Sequence, residues 1–508
     1  MRTPLLFASA FLLGCALHAD VVPASIFRDG AVLQREKPIP VWGTASAGEK
    51  VTVAFAGKTA AATAAADGKW RVDLPALPAS GEPRALTVAG NNTVTINDVV
   101  VGEVWLASGQ SNMAWVVGNT YDAKYEAVAA RFPLVRQYKT ALTVADAPAT
   151  TTEGSWAAVT PETVGSFTAV GYFFALDLHR ALGGVPVGII NSSWGGTRVE
   201  AWMDPDAAAG KNGPAFASIH SRWAEDLKAF PDSLAKHEAA LEKWKADKAA
   251  AEAAGKPFNK TTPRRPRGGP GHQDTPSGLY NAMINPHAPY ALRGAIWYQG
   301  ESNASRAAEY CELFSAMITG WRAKFGQGDF PFYWVQLANY RDNGVDGTRY
   351  AELREAQTKT LALPKTGQAV IIDIGNVTDI HPRNKKDVGR RLALLALARD
   401  YGKTGLIDSG PVFDKAEREG TAMRVTFKPS GSPLISPLAA NPPGFELAGE
   451  DKVFHPAEAK IENGRTVLVS CADVPAPVAV RYAWRNAPAA GLANQEGLPA
   501  VPFRSDDW

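Results

Sequence analysis

Apolar and polar residues alternate along the chain from position 21 to position 101. Strict alternation over four to eight residues is typical of a β-strand with one buried face. The clearest runs lie at 39–43, 51–55 and 70–74, and turn-forming pairs such as Asn91-Asn92 punctuate the region. The pattern therefore predicts an N-terminal β-sandwich-like domain over residues 20–100.

A different texture begins near residue 101, where short continuous apolar runs alternate with helical patterns. Continuous apolar runs suit strands that are buried on both faces, and intervening helices suit a parallel sheet covered on both sides. We therefore predict an α/β domain over residues 101–404. The apolar runs lie at 101–107, 185–191, 295–298, 331–337 and 369–374, and the helical patterns at 167–182, 306–325 and 386–401.

A segment of different composition, at about 205–274, interrupts this domain. Residues 214–258 are rich in Ala, Lys and Glu at helical spacing, whereas 261–271 combine Pro and Gly with several arginines and cannot form regular structure. We expect a helical and loop insert whose arginines form a solvated rim. Alternation returns after residue 404 and predicts a C-terminal β-rich domain over 405–508.

Composition narrows the class of protein. The 508 residues carry 53 Lys and Arg against 51 Asp and Glu, so the formal net charge is only +2. Phosphate binding needs a clustered basic surface, so nothing here favours a nucleic-acid partner. Only three cysteines are present, without the spacing of a zinc site or a disulfide framework.

The first 19 residues have the features of a secretory signal peptide. Arg2 precedes a short apolar run, and small residues follow up to position 19. Cys15 also permits a bacterial lipoprotein site, which we favour less because Leu13 is unusual there. No later run approaches the roughly 18 apolar residues of a membrane span. We expect a secreted or periplasmic protein without an integral membrane segment, and the sequence leaves its oligomeric state open.

Ser111 is the first candidate for catalysis. It lies in the segment Gly-Gln-Ser-Asn-Met at 109–113, directly after the apolar run at 101–107. A serine at a sharp strand-to-helix turn can be a nucleophile, because nearby amides stabilise negative charge. A serine in this position is also a common helix N-cap, so the segment alone is a weak signal.

His381 strengthens the case for Ser111. It follows the last apolar run of the predicted sheet and lies two residues after Asp379. A histidine whose second ring nitrogen is fixed by a carboxylate can act as a general base. Asp373, at the end of the same run, is an alternative acid.

Two further segments follow predicted strands and offer hydrogen-bond donors. Gly195 and Gly196 allow backbone N–H groups to approach a ligand closely, and Gln299 and Asn303 carry side-chain amides. Sites in open α/β sheets gather at the carboxyl ends of the strands. We therefore expect all four segments to meet at one edge of the sheet.

These segments resemble the sialate O-acetylesterase-like branch of the SGNH hydrolases, which are carbohydrate acetylesterases acting on sialic acid or plant cell-wall glycans. The resemblance rests on Gly-Gln-Ser-Asn-Met at 109–113, Ser-Trp-Gly-Gly-Thr at 193–197, Trp-Tyr-Gln-Gly-Glu-Ser-Asn at 297–303 and Asp-Ile-His-Pro at 379–382. It implies an SGNH-type three-layer sandwich with a parallel sheet. It also implies a carboxylic ester hydrolase that removes O-acetyl groups from an oligo- or polysaccharide without a metal or organic cofactor.

The resemblance assigns a role to each motif. Ser111 is the nucleophile and His381 the general base. The N–H groups of Ser111 and Gly196, with Gly195 as the alternative, form the oxyanion hole with a side-chain amide. For that amide Gln299 is preferred over Asn303.

The acid departs from the superfamily pattern, which places Asp three residues before His, where this chain has Thr378. Asp379 is preferred over Asp373. Arg198 is expected either to bind substrate hydroxyls or to pair with Glu200, and Glu301 either to tune the site or to brace it. The expected supporting or substrate-binding residues are Gln110, Asn112, Trp194, Arg198 and Glu301.

Two other functions remain compatible with these residues. One is a secreted glycan-binding protein whose SGNH core is inactive. The other is an SGNH esterase that prefers longer acyl groups. Release of acetate from a small acetyl ester separates the first from an acetylesterase.

Overall fold

A largely parallel sheet occupies the centre of the protein in a computed structural model that describes residues 20–208, 213–342, 344, 347–429 and 431–508. The expected signal peptide and Cys15 lie outside the described residues. The strand order across the centre is β10-β9-β11-β8-β12-β13-β14, and every neighbouring pair except β10–β9 is parallel. These strands are β8 (Thr93–Gly109), β9 (Phe132–Thr140), β10 (Gly154–Val159), β11 (Val187–Ser193), β12 (Gly294–Tyr298), β13 (Phe332–Val335) and β14 (Thr366–Ala369).

Strand β8 joins some of the N-terminal strands to this sheet, whereas Val22–Pro23, Ile39–Thr44 and Lys69–Leu74 form a separate three-stranded sheet. Its first part alternates between exposed and buried positions, whereas every residue from 99 to 109 is buried. The first part pairs with β7 and the second with β11 and β12, so the boundary expected at residue 100 lies inside one strand. The N-terminal strands are β1 (Val22–Pro23), β2 (Val32–Gln34), β3 (Ile39–Thr44), β4 (Lys50–Phe55), β5 (Lys58–Thr63), β6 (Lys69–Leu74) and β7 (Ser80–Ala89).

Helices cover the central strands. Helices α3 and α8 pack against each other, α3 contacts β11, and α8 contacts β13 and β14. Helices α6 and α7 form a second packed pair. Among the described residues, no helix combines the length and the apolar character needed to cross a bilayer. The helices are α1 (Ser111–Ala114), α2 (Ala123–Ala129), α3 (Ala169–Ala181), α4 (Pro205–Ala208), α5 (Pro214–Ala253), α6 (Ala307–Phe325), α7 (Arg349–Lys359) and α8 (Lys385–Arg399).

Several shorter helical turns connect these elements. The 3₁₀ turns are Val117–Asn119, Val164–Ser166, Val199–Trp202, Asn285–His287, Glu301–Arg306 and Thr360–Ala362, and a π-helical turn spans Tyr280–Ile284. Helix α5 lies in the expected insert. Beyond Gly255 the insert has no helix or strand up to residue 267, as its Pro and Gly content predicts.

A second sheet forms the C-terminal part, with strand order β15-β16-β20-β19-β18-β21-β23, and β17 pairs with β22. Its core also takes in Val370 and Ile372, which follow the central strand β14. The strands are β15 (Phe413–Glu419), β16 (Ala422–Phe427), β17 (Leu434–Ile435), β18 (Phe445–Ala448), β19 (Phe454–Glu462), β20 (Thr466–Ser470), β21 (Ala479–Tyr482), β22 (Ala493–Asn494) and β23 (Phe503–Arg504).

Much of the aromatic content lies in the core. Trp297 on β12 has its ring 6.1 Å from that of Trp202 and 5.8 Å from that of Trp321, both in edge-to-face geometry. Trp105 and Trp334 are also fully buried. These tryptophans therefore stabilise the sheet beneath the site and are not sugar platforms.

Candidate active site

The turn that carries Ser111 begins at Gly109, the last residue of β8. Gly109 has φ +134°, and a Cβ built on it would lie 2.2 Å from the carbonyl oxygen of Tyr298 on the neighbouring strand. Only glycine permits this approach. The Gln110 N–H donates to the same carbonyl at 3.0 Å. The four-residue helix α1 then starts at Ser111, whose side chain remains partly exposed.

His381 reaches Ser111 from the loop between β14 and α8. Its Nε2 lies 2.8 Å from Ser111 Oγ, within hydrogen-bond distance. The imidazole stacks on Trp115, with ring centres 5.1 Å apart and planes 17° from parallel. Burial and the charge of Lys385 lower the pKa of the His381 imidazole, and Asp379 opposes the shift. A neutral imidazole in this position can accept the Ser111 proton.

Asp379 lies near His381 without a hydrogen bond to its ring. Asp379 Oδ1 is 3.8 Å from His381 Nδ1, and half of the side chain is exposed. The same oxygen accepts the His381 backbone N–H at 2.9 Å. Both oxygens of Asp373 accept hydrogen bonds from Arg391 at 2.6 Å, so this carboxylate is held elsewhere. The preference for Asp379 as the acid stays a prediction.

Asn112 connects the serine turn to the histidine loop. Its Nδ2 donates to the Ile380 carbonyl at 3.0 Å and to Glu301 Oε1 at 2.5 Å. Its Oδ1 accepts from Lys385 Nζ at 2.5 Å. Burial raises the pKa of the Glu301 carboxyl and lowers that of the Lys385 ammonium to about 7. Glu301 is thus bonded to the serine turn through Asn112, as a bracing role would require, and that role stays a prediction.

Gly195 contacts the nucleophile turn. A Cβ built on Gly195 would lie 3.2 Å from Ser111 Cβ, whereas one on Gly196 would meet Arg267 and Gln273. Within the described part of the chain, the backbone amides of Ser111, Gly195 and Gly196 donate no hydrogen bond to another backbone group. Gly195 therefore lies closer to the nucleophile turn than the preferred Gly196.

The insert holds this glycine loop from outside. Gln273 Nε2 donates to the Gly195 carbonyl at 2.9 Å, and an Arg267 Nη donates to the Gly196 carbonyl at 3.1 Å. Arg267 thus contacts the glycine loop while part of its side chain stays in solvent, as expected for the rim. The Arg267 side chain is half exposed, in agreement with the surface loop that its Pro- and Gly-rich sequence context predicts.

The side-chain amide expected in the oxyanion hole is not available there. Gln299 is fully buried, and its Nε2 donates to the Thr197 carbonyl at 3.1 Å and to Asn303 Oδ1 at 2.7 Å. Asn303 is also buried, and its Nδ2 donates to Glu200 Oε2 at 2.8 Å. Both amides are engaged in bonds between the loops that follow β11 and β12, which argues against the expected role of either as a donor to the reacting group.

The remaining expected residues lie around the same edge. Gln110 is buried, and its Oε1 accepts the N–H groups of Gly300 at 3.4 Å and Ser302 at 3.3 Å. Trp194 is half-buried, and its backbone N–H donates to the Gly109 carbonyl at 3.0 Å. Both residues hold the glycine-rich turns in place.

Arg198 does not pair with Glu200, contrary to one expectation. It lies 3.5 Å from Asp226 and 3.8 Å from Asp274, both contributed by the insert. These two ion pairs could not be predicted from the sequence, because both acids lie in the insert, far along the chain from Arg198. Glu200 instead pairs with Arg306.

Lys385 and Trp115 are functional candidates that sequence reasoning did not select. Lys385 begins α8, although a helix N-terminus disfavours cations. A lysine at the first position of a helix is therefore the signal in the sequence that could have indicated an unusual role for Lys385. Trp115 offered no such signal, because a tryptophan near a motif is more often core. Among the described residues, no group of three or more His, Cys, Asp or Glu is arranged to hold a metal ion.

Comparison with known proteins places the chain in a family. The family model described as "Carbohydrate esterase, sialic acid-specific acetylesterase" matches residues 101–241 and 268–395. Sialate O-acetylesterase of Rattus norvegicus is 30% identical over 529 residues, covering 94% of this chain and 93% of that protein. The enzyme of the same name from Mus musculus is 30% identical over 530 residues, with the same coverage.

A solved structure extends this likeness to the fold. The crystal structure of a carbohydrate acetylesterase from Xanthomonas citri superposes with a TM-score of 0.81 at 42% sequence identity. The match covers 96% of this chain and all of that one. The family model, the relatives and the solved structure therefore agree, and the expected resemblance is confirmed. The chain belongs to the carbohydrate esterase family of sialic acid-specific acetylesterases and is a carbohydrate O-acetylesterase.

Proposed function

We propose that the protein removes O-acetyl groups from glycans through an acetyl-serine intermediate on Ser111. His381 Nε2 takes the proton from Ser111 Oγ while this oxygen attacks the acetyl carbonyl carbon. The bond between the acetyl carbonyl carbon and the sugar oxygen then breaks, and His381 returns the proton to this leaving oxygen. A water molecule deprotonated by His381 attacks the acetyl-enzyme in turn, which releases acetate and restores Ser111.

The observation that carries this proposal is the 2.8 Å approach of Ser111 Oγ to His381 Nε2 at the carboxyl edge of the sheet. This distance is within the range required between a nucleophile and its general base. The lowered pKa of the His381 imidazole keeps it neutral, and so able to accept a proton, near neutral pH. Asp379 acts as the third member through its charge and through the backbone N–H of His381.

We propose that backbone amides alone stabilise the negative charge on the acetyl oxygen. The candidates are the N–H groups of Ser111 and Gly195, with Gly196 next along the loop. Their support is the contact between Gly195 and the Ser111 turn, together with the absence of other backbone acceptors for these amides in the described part of the chain. Removing one such donor typically reduces kcat by about 10²- to 10³-fold.

The substrate class we favour is an uncharged acetylated glycan, such as those of plant cell walls. Sialic acid carries a carboxylate, which calls for an available cation beside the site. Arg198 and Arg267 both lie close to Asp274, and Arg198 also lies close to Asp226, so these arginines already have acidic neighbours. Acetylated sialic acid is the second candidate, which the description of the matched family favours.

A panel of acetylated substrates tests this proposal. Purified protein is incubated with acetylated xylan, acetylated xyloglucan, O-acetylated sialic acid and chromogenic esters of acetyl and longer acyl groups, and the released acid is quantified for each. We expect acetate from an uncharged glycan at a higher kcat/KM than from sialic acid. Glycan retention without hydrolysis of any ester would support an inactive binding protein. A preference for longer esters would support the other alternative.

The organisation of the chain is part of the proposal. We propose that residues 101–404 form an SGNH-type three-layer core, with the insert at about 205–274. We further propose that residues 20–100, which strand β8 joins to the core, and residues 405–508 are flanking β-rich units, and that residues 1–19 direct secretion. N-terminal sequencing of the protein from a culture supernatant tests the last point, since we expect cleavage after position 19.

A further inference from the structure

Lys385 is a buried lysine beside the serine turn of the candidate catalytic pair, and the proposed acetyl transfer does not use it. Its side chain is fully buried, and its Nζ lies 5.1 Å from the centre of the Tyr298 ring and 5.9 Å from that of Trp115. The acidic groups that act on it, Glu301 and Asp379, do so through their charge without a hydrogen bond. Burying a cation without a close carboxylate costs free energy, so this lysine calls for an explanation.

The hydrogen bond from Lys385 fixes which way the Asn112 amide faces. When it is protonated, Lys385 can only donate a hydrogen bond, so Asn112 turns Oδ1 toward Nζ, at 2.5 Å. The Nδ2 group then faces the Ile380 carbonyl, at 3.0 Å. Asn112 directly follows Ser111, and Ile380 directly precedes His381. One amide therefore joins the two loops that carry the reacting groups.

We propose that Lys385 is a positioning residue, which acts through Asn112 to hold the Ser111 turn against the His381 loop. This inference rests on the serine mechanism proposed above. A misplacement of about 1 Å between reacting groups can reduce the rate about 100-fold, so a buried bond that sets their distance has a large effect on kcat.

Lys385 also acts on His381 through its charge. Its positive charge adds to burial in lowering the pKa of the imidazole, while Asp379 opposes both. Removing the cation therefore raises the pKa of His381 and moves the acid limb of the pH–rate profile to higher pH. The groups that face His381 are Ser111, Trp115, Asp379 and Lys385, and those that face Lys385 are Asn112, Glu301, Trp115, Tyr298 and Asp379.

The test compares Lys385→Met with Lys386→Met on a small chromogenic acetyl ester. Methionine keeps a similar length and apolar stem but lacks the donor and the charge. Lys386 is the next residue, is exposed, and pairs with Glu126 at 2.9 Å, so it is a matched control. We expect Lys385→Met to lower kcat about 10- to 100-fold and to shift the acid limb upward, while Lys386→Met changes neither. A purely structural role would leave the acid limb in place.

Asn112→Ala separates the hydrogen bond from the charge. It removes the bridging amide and keeps the lysine, so we expect kcat to fall while the acid limb stays at the wild-type pH. Combining it with Lys385→Met should reduce kcat no further than Asn112→Ala alone, because both changes break one connection. Multiplicative losses in the double variant would overturn the proposal. If Lys385→Met does not fold, wild-type kcat in a folded Asn112→Ala would overturn it instead.

The two proposals fail in different ways. Wild-type protein without Ser111-dependent release of acetate would contradict the proposed function. Suppose instead that acetate release by the wild type depends on Ser111 and His381, and that a folded Lys385→Met variant keeps the wild-type kcat and pH profile. This result would contradict only the role of Lys385.

Discussion

Replacing Asp379 by asparagine tests how the carboxylate acts on the catalytic histidine. In the structure, Asp379 Oδ1 lies 3.8 Å from His381 Nδ1 and accepts the backbone N–H of His381 at 2.9 Å. Asparagine keeps an oxygen that can accept this N–H but removes the negative charge. The variant therefore isolates the charge from the conformation of the loop.

The distance and the exposure of Asp379 predict a small loss. Two unit charges about 4 Å apart attract by about 1 kcal/mol in water, and measured exposed pairs contribute about 0.2–1 kcal/mol. Asp379 is half exposed, so this range applies to it. A loss of about 1 kcal/mol in stabilisation of the protonated histidine corresponds to about a 5-fold decrease in kcat. By contrast, a buried acid that holds the histidine ring by a hydrogen bond contributes about 10⁴-fold.

The assay is steady-state hydrolysis of a chromogenic acetyl ester by wild type, Asp379→Asn and Asp373→Asn. Asp373 is bonded to Arg391, so we expect its variant to lose about 1–3 kcal/mol of stability, visible as a lower Tm, with kcat nearly unchanged. A decrease of about 10³-fold or more in Asp379→Asn would refute the reasoning from distance and exposure. A larger decrease in kcat for Asp373→Asn would show that Asp373 is the acid.

Three further predictions concern the residues around the pair. Because burial and a nearby cation lower the pKa of His381, kcat/KM should fall on acidification only below about pH 6.5, and a midpoint above that value would contradict this. Gly195→Ala places a Cβ 3.2 Å from that of Ser111 and should reduce kcat at least about 10-fold. The control Gly165→Ala, with open space around its Cβ, should keep the wild-type kcat. A wild-type kcat in Gly195→Ala would contradict the close contact. Arg267→Met removes the donor to the Gly196 carbonyl and should lower kcat about 2- to 10-fold relative to the exposed control Arg264→Met. The same kcat in both variants would show that this contact of the insert does not affect catalysis.

Several central strands and helices could be predicted because their patterns follow from burial alone. The apolar run at 295–298 lies in β12, and the helical patterns at 167–182 and 306–325 lie over α3 and α6. In each case the ends in the structure differ from the predicted ends by at most two residues. Continuous burial on both faces of a parallel strand requires an unbroken apolar run, which is a strong signal.

Strand β9 (Phe132–Thr140) was not predicted because tertiary contacts supply its polar partners. Arg136 and Gln137 are buried, and such residues normally exclude a buried strand. Arg136 donates to the Asp98 carbonyl at 2.5 Å, and Gln137 accepts the Thr168 N–H at 2.9 Å. These partners lie about 30 or more positions away, so sequence reasoning had no means of finding them.

The run at 369–374 shows the opposite difficulty. The strand ladder of β14 ends at Ala369, yet the chain stays apolar beyond it. Val370 and Ile372 are buried in the core of the C-terminal part, so their apolar character reflects packing against a second sheet. Hydrophobicity indicates burial without saying which element covers the residue.

The reacting residues of the site were accessible to sequence reasoning, but their partners were not. Ser111 and His381 follow strands whose carboxyl ends meet at one edge, so their proximity could be anticipated. Which carbonyl or carboxylate each amide would meet depends on loop geometry. Gln299 and Asn303 bond to each other and to Thr197 and Glu200 in the loop after β11, and the insert contributes the acids beside Arg198.

Release of acetate by Ser111→Ala tests the central claim most directly. Purified wild type and variant are compared on a small acetyl ester and on the best glycan of the panel, with circular dichroism to verify the fold. We expect a folded variant whose acetate release falls at least about 10³-fold, because the nucleophile is gone. Acetate release at the wild-type rate by the folded variant would contradict it.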